Sequence, residues 1–430
     1  MRNLPTHTAL TILAVGALLS GFKLLKPAQF GTILDVAPLP PPPVPPIAPT
    51  VSSSKTVQPS KLLDDSAGAL DHFYAALWRS EKHEPGAITR IVHYGDSPTT
   101  ADLITGDIRA ELQAHFGNAG HGFLLIAKPW AWYQHTGADV NGSGWQINPA
   151  SRFVAGDGMF GLGGVSFTTS KSAHSRMSYA DPQNRFEIWY LQQKGGGAFT
   201  VAADGRNLGR VQTSGDEKTP GFAEFTADPP AKRLDIETES GGVRLYGVVA
   251  EWTGPGVVYD SLGLNGASIT VISRMFAETH WAEELQRRNP QLVIVNYGTN
   301  EADFASFIDK QYEGELREAL RRIRAALPDA SILLMSPMDR GHKSGGEIET
   351  MPTIPKLVEI ERRVARETGC GFFDTYRAMG GEGTMARWYA AKPRLVSADL
   401  IHPYPAGGRL IAEIFTREIM AGLNRYKVRQ

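Results

Sequence analysis

The chain has 430 residues, with 42% hydrophobic and 21% charged side chains, which is enough for two packed domains and a tail. Its formal net charge of −1 argues against a general polyanion binder, so no nucleic-acid partner is expected. The single cysteine, Cys370, excludes an intrachain disulfide, and its setting in Cys370-Gly371-Phe372-Phe373 predicts a buried core thiol.

Residues 1–26 read as a targeting segment. Arg2 and His7 precede an apolar stretch from Ala9 to Phe22, and Lys23 and Lys26 close it. That stretch is short for a membrane span and typical of a secretory signal. No small-x-small cleavage site follows, so a removed signal peptide and an uncleaved anchor in the inner membrane both stay open. Either one predicts a periplasmic or cell-envelope protein. Residues 27–61 form a Pro-rich linker. Its core, Pro38 to Pro49, predicts a polyproline II spacer of roughly 37 Å, at about 3.1 Å per residue.

The first part of a folded core is expected over residues 62–123. Leu63 to Trp78 reads as a helix and Ile88 to Tyr94 as a strand ending at Gly95-Asp96-Ser97. Thr99 to Phe116 reads as an amphipathic helix with Leu103, Ile104, Ile108 and Leu112 on its apolar face. Across residues 124–250 the helical period fades. Alternating runs such as Phe186-Glu187-Ile188-Trp189-Tyr190-Leu191 take over, separated by Asn141-Gly142, Asp157-Gly158 and Asp204-Gly205 turns. An inserted antiparallel β-sandwich is expected there.

Strand–helix alternation resumes over residues 251–430. Val257-Val258-Tyr259 leads to the glycines at 263 and 266. Helices are expected at Ser268–Arg288, Ile308–Leu327, Ile354–Thr368 and Pro405–Leu423, and strands at Leu292–Tyr297, Ile332–Met335 and Gly371–Asp374. Near-continuous apolar strands predict a parallel sheet covered on both faces. The fold class is therefore α/β: a flavodoxin-like three-layer αβα core with a five-stranded parallel sheet, interrupted by the β-sandwich.

Ligands of such a sheet bind outside the carboxyl ends of the strands. Gly95-Asp96-Ser97, Gly263-Leu264-Asn265-Gly266 and Gly298-Thr299-Asn300 each follow an apolar strand, and Asp399-Leu400-Ile401-His402-Pro403 stands near the end of the chain. Together they supply a nucleophile, candidate oxyanion donors, a base and an orienting carboxylate, which is the inventory for acyl transfer. Each piece alone is weak, and Gly-Asp-Ser by itself reads as an ordinary turn. Their order and strand context carry the signal.

In these blocks the chain resembles the SGNH hydrolase superfamily, also called GDSL esterases, over about residues 88–128 and 257–425. The resemblance implies Ser97, His402 and Asp399 as the catalytic triad. It implies an oxyanion hole from Ser97, Gly266 and Asn300, with Gly263 as the second choice for the glycine. Pro98 departs from the commoner leucine or histidine, and Glu301 from the commoner aspartate. Proline has no N–H. Pro98 therefore disagrees with an α/β-hydrolase, where the residue after the nucleophile donates to the oxyanion. It is neutral in the SGNH arrangement, where the nucleophile's own N–H serves.

No cofactor and no metal set are expected: His115, His121 and His135 match no ligand spacing and read as surface or loop histidines. Trp130, Trp132, Tyr133 and Trp145 cluster at the start of the insert. They read either as a sugar-stacking platform, with Trp130 and Trp132 binding substrate, or as sandwich core. An SGNH core with such an insert resembles bacterial peptidoglycan O-acetylesterases, in which the insert looks like a carbohydrate-binding module. The resemblance implies an exported esterase acting on an acetylated polysaccharide, with peptidoglycan as the leading substrate. Acetyl transfer onto an exopolysaccharide, and a catalytically silent polysaccharide-binding scaffold, are the alternatives.

Overall fold

The computed structural model describes residues 61–152, 156–239 and 241–430. The targeting segment at 1–26 and the Pro-rich linker as far as residue 60 lie outside the described residues. No helix among the described residues is long and apolar enough to cross a membrane.

Five parallel strands form the central sheet, in the spatial order Gly256–Gly263, Ile88–Gly95, Leu292–Asn296, Ser331–Met335, Gly371–Phe373. Numbered along the chain this is 2-1-3-4-5, the flavodoxin-like order. A two-residue strand, Leu63–Asp64, is added antiparallel at the Gly371–Phe373 edge. Leu63 was expected to be helical, but the helix begins only at Asp71 and runs to Glu81.

Alternate side chains of the strands enter two separate cores, as a period of two requires. Val92, Val293, Val295, Ile332 and Leu334 pack with helices Glu278–Arg288, Glu313–Ala326 and Thr353–Glu367. Ile91, Val257, Leu292, Ile294 and Leu333 pack with helices Asp71–Glu81, Thr105–Phe116 and Pro405–Arg429. Both faces are therefore covered, which explains strands that read as apolar throughout. Cys370 is buried against the first of these cores.

Three expected helices are interrupted, the first by a side chain that bonds back onto its own helix. Thr99–Phe116 divides into Ser97–Thr100 and Thr105–Phe116. Between them Asp102 adopts φ +54° and receives hydrogen bonds from Thr105 Oγ1 (2.6 Å) and Arg109 Nη2 (2.5 Å). Ser268–Arg288 becomes a π-turn, Val271–Met275, followed by the helix from Glu278. Ile308–Leu327 opens on a second π-turn, Ile308–Tyr312.

The insert is one nine-stranded sheet, antiparallel throughout, that begins at Gly120 and ends at Glu251, slightly wider than 124–250. Its two long strands, His174–Gln192 and Thr219–Thr238, pair along most of their length. A register shift between Thr226 and Ala231 lets both strands pass from one half of the sheet to the other. The halves pack together through contacts such as Tyr190 edge-on to Phe199, 5.7 Å between centroids.

A buried ionic network joins insert to core. Arg288 holds Asp260 (2.5 Å) and Glu251 (2.6 Å), and Glu251 also receives Arg90 and Arg185. Burial would raise the Glu251 carboxyl, but these guanidiniums outweigh it and hold it well below the usual carboxylate range. The seam is thereby fixed at the strand Gly256–Gly263, next to the nucleophile strand.

Candidate active site

The strands Ile88–Gly95, Gly256–Gly263 and Leu292–Asn296 run side by side and parallel, so their carboxyl ends deliver Ser97, Gly266 and Asn300 to one edge. Ser97 opens a single helical turn, with Pro98 in its first positions, where a missing N–H costs nothing. That turn lies hard against the neighbouring strand. A Cβ on Gly263 would stand 2.0 Å from Thr100 N. Gly263 is therefore a packing glycine, whereas Gly266, at φ +70°, has open space around it.

His402 arrives from the far end of the chain. Its Nε2 is 2.7 Å from Ser97 Oγ, and its Nδ1 is 2.7 Å from Asp399 Oδ2. The tight Asp399–His402 loop holds this pair. Asp399 Oδ1 accepts the backbone N–H of Ile401 (2.9 Å) and His402 (3.0 Å) and the Ser397 hydroxyl. Burial would raise the Asp399 carboxyl, but the hydrogen bonds from Ser397, His402 and Ile401 bring it down to about 2. Leu400, between the pair, sits at φ +60°, a conformation a branched side chain rarely adopts. Its N–H to Ser397 O (3.1 Å) and its carbonyl, which accepts Gly341 N–H (2.9 Å), pin it there.

The oxyanion side has its own scaffold. Asn300 Nδ2 donates one hydrogen to Ala267 O (2.8 Å), which orients the amide and leaves the second hydrogen available. Among the described residues neither the Ser97 nor the Gly266 N–H meets an acceptor. The residue that ties these loops together stood out in the sequence only as a departure from the commoner aspartate. Glu301 is 2% exposed, and its carboxylate accepts Ile269 N–H (2.8 Å) and Gly298 N–H (3.0 Å). It thus bridges the Gly266 loop and the Asn300 turn. Burial pushes its carboxyl up to about 7, against the pull of those N–H donors. Arg340 Nη1 adds a bond to Thr299 O (2.6 Å). Asp96, immediately before the nucleophile, is also buried, and burial raises its carboxyl to about 6 against the Thr299 hydroxyl and His402.

The remaining predicted site residues separate. Trp130 is 6% exposed and belongs to the core, so its reading as a substrate-binding ring is replaced by packing. Tyr133 is buried as well, and its OH accepts Leu125 N–H (3.0 Å). Trp145 is half-buried, donating to Ser175 Oγ (2.9 Å). Trp132 alone of the cluster is fully presented, 47% exposed. Its loop is tied to the segment just after Ser97: Gln134 N–H bonds Thr100 O, and Thr136 N–H bonds Asp102 Oδ2. His121 and His135 are buried with ring centroids 5.5 Å apart, contrary to the surface reading, near the Arg109–Asp102 ion pair. His115 is exposed. Among the described residues no group of three or more His, Cys, Asp or Glu side chains is arranged to hold a metal ion.

Comparison with known proteins agrees with this fold. Residues 228–410 match the GDSL-like Lipase/Acylhydrolase family. A solved structure described as a peptidoglycan O-acetylesterase in action superposes with a TM-score of 0.73 at 24% identity, covering 85% of this chain and 99% of that one. An acetylxylan esterase from Geobacillus stearothermophilus, Axe2, aligns over 38% of this chain and 73% of its own, at 22% identity and a TM-score of 0.29. No curated protein sequence matches the chain. The 2-1-3-4-5 sheet with its inserted antiparallel sheet is thus a fold shared with the solved peptidoglycan O-acetylesterase structure, and the segment similar to the GDSL-like Lipase/Acylhydrolase family runs past His402.

Proposed function

We propose that the protein is an exported serine esterase that removes O-acetyl groups from a cell-envelope polysaccharide, most directly peptidoglycan. The observation that carries the reading is the unbroken chain from Ser97 Oγ through His402 to Asp399, both links 2.7 Å, beside the Asn300 amide. In this mechanism Ser97 Oγ attacks the acetyl carbonyl while His402 Nε2 takes its proton. Asp399 holds the imidazole and stabilises its charged form. Ser97 N–H, Gly266 N–H and Asn300 Nδ2 receive the oxyanion. Collapse expels the sugar hydroxyl with the proton from His402, leaving acetyl on Ser97. Water then repeats the sequence and releases acetate.

The access to the site supports a polymer substrate. The His402 and Asp399 side chains are 39% and 46% exposed, so the crevice is open rather than enclosed. A chain can lie across it without threading. Export rests on the apolar stretch from Ala9 to Phe22, and the envelope substrate on the superposed peptidoglycan O-acetylesterase. The test is acetate release from O-acetylated peptidoglycan by the purified protein, with Ser97→Ala as control and an unacetylated glycan acceptor in a parallel arm. Acetate release that depends on Ser97 is expected. Acetylation of the acceptor in place of acetate release would move the protein to the transferases.

A further inference from the structure

The helix Thr353–Glu367 buries one face on the sheet, through Ile354, Leu357, Val358, Val364 and Ala365. Glu361 falls on that same face, three residues after Val358 and three before Val364, where the helical period calls for an apolar side chain. It is 3% exposed, and its Oε1 accepts the hydroxyl of Tyr312, itself buried in the π-turn Ile308–Tyr312. This carboxyl stands against the oxyanion turn. A Cβ on Gly298 would lie 3.1 Å from Glu361 Oε1 and 2.9 Å from Pro337 Cγ. The Gly298 N–H goes to Glu301 Oε2 (3.0 Å), so Gly298 sits between two buried carboxyls. The start of the helix is docked on the same turn, since Thr353 Oγ1 donates to Ala302 O (2.7 Å).

No cation compensates this pair. Guanidiniums on the adjoining elements are spent elsewhere, Arg340 on Asp303 and Arg362 on Asp374 and Glu359. Among the described residues no Lys, Arg or His forms an ion pair with Glu301 or Glu361. The other titratable groups facing the two are Tyr312, Asp374 and Asp96, none of them basic. Two carboxyls buried around one glycine cannot both carry charge, because like charges in a low-dielectric interior draw a proton back onto one of them. The hydrogen-bond donors decide which. Glu301 has a backbone N–H on each oxygen, which favours its anion, whereas Glu361 has the Tyr312 hydroxyl. Glu361 therefore keeps the proton. Burial pushes its carboxyl well above the usual range against the pull of Tyr312, and the like charges of Glu301 and Asp374 add to that.

We infer that Glu361 is a positioning residue for the reaction: with Tyr312 it supports Gly298, and through it the Asn300 amide, and the single proton of the Glu301–Glu361 pair makes that support fail in alkaline solution. Loss of the proton sets two charges against Gly298 and drives the turn away from them, taking the Asn300 amide out of line with the oxyanion. The inference rests on the serine-esterase reading of the site for its link to turnover, and not for the carboxyl pair itself.

The test measures melting temperature, and kcat and KM on p-nitrophenyl acetate, from about pH 5 to 9 for the unaltered protein, Glu361→Gln, Glu361→Leu and Tyr312→Phe. A carboxyl raised on folding stabilises the fold in acid and loses that contribution as pH climbs towards its folded value. Relative to Glu361→Gln, an uncharged mimic of the protonated acid, the unaltered protein should therefore lose melting temperature steadily as pH rises. Glu361→Gln should rescue kcat at neutral pH and hold it further into the alkaline range. Glu361→Leu fills the core position but strands the Tyr312 hydroxyl and frees the turn, so kcat should fall by about tenfold with KM nearly constant, even at an unchanged melting temperature. Should that variant fail to fold, Tyr312→Phe makes the same cut from the other side and should lower kcat several-fold at constant KM. Full kcat in a folded Glu361→Leu or in Tyr312→Phe, or a change confined to KM, would overturn the positioning role. Melting temperatures of the unaltered protein and Glu361→Gln that run parallel across the series would overturn the shared proton. Absence of ester hydrolysis by the unaltered protein would refute the esterase reading, and the melting series would still decide the carboxyl pair.

Discussion

Glu301 offers the sharpest test of how the oxyanion side is built. Its carboxylate serves two buried backbone donors, Gly298 N–H and Ile269 N–H, and no other acceptor is shown for either. Glu301→Ala leaves both unpaired. At about 1–3 kcal/mol for each stranded group, the cost is about 2–6 kcal/mol, a large share of a typical stability. Glu301→Gln is the milder probe. Its carboxamide has one oxygen, so one of the N–H groups must face an NH₂, and the loss is about half as large. The two loops it joins carry Gly266 and Asn300, so loosening them should misplace oxyanion donors and act on the transition state more than on substrate. Purified variants should therefore show a lowered melting temperature, in the order Gln then Ala, and a fall in kcat on p-nitrophenyl acetate with KM nearly constant. A Glu301→Ala protein with unchanged melting temperature and unchanged kcat would refute the bridging role. A change confined to KM would assign the region to substrate binding instead.

Other expectations follow from the same geometry. Asn300→Ala should lower kcat by about 10²–10³ with little change in KM, measured on the same small ester, because the amide acts on developing charge. Burial holds His121 neutral, with its ring down to about 4 from an ordinary 6.5, against a smaller pull from Asp181 and Asp102. A depressed histidine makes the unfolded chain the better proton binder, so stability falls as pH drops from 6.5 towards 4, by about 3 kcal/mol for this group. Denaturant melts across that window should show the loss, and His121→Phe should make it shallower. Trp130→Ala should cost about 3–5 kcal/mol of stability as a core truncation. Trp132→Ala should leave the melting temperature alone and reduce activity on acetylated peptidoglycan relative to the small ester.

The sheet was legible because its strands are apolar on both faces, as in Leu292-Val293-Ile294-Val295, and because the three that lead to Ser97, Gly266 and Asn300 end in glycine-containing turns. The parallel order and the convergence of Ser97, Gly266 and Asn300 follow from that pattern. Helix ends were less legible. Asp102 breaks a periodic run through bonds to Thr105 and Arg109, and no apolar period registers a side chain turning back on its own helix. Glu301 was noticed as a departure but its task was hidden, since one of its oxygens serves the N–H of Ile269, in a loop more than thirty positions away. His121 and His135 were read as surface or loop residues because loops are usually wet, yet both are buried, near the Arg109–Asp102 ion pair. The tryptophans were ambiguous for a related reason: the same ring packs a core or meets a sugar, and only exposure separates Trp130 from Trp132.

The central claim is that Ser97 carries the acyl group between its two transfers. Rapid acid quench of the protein during turnover of p-nitrophenyl acetate, followed by intact-mass and peptide mass spectrometry, measures this directly. The account predicts a species heavier by one acetyl group, mapped to the peptide containing Ser97, accumulating in Asn300-intact protein and absent from Ser97→Ala. Steady hydrolysis by Ser97→Ala at a rate near that of the unaltered protein, or an acetyl group mapped to another residue on the turnover timescale, would contradict it.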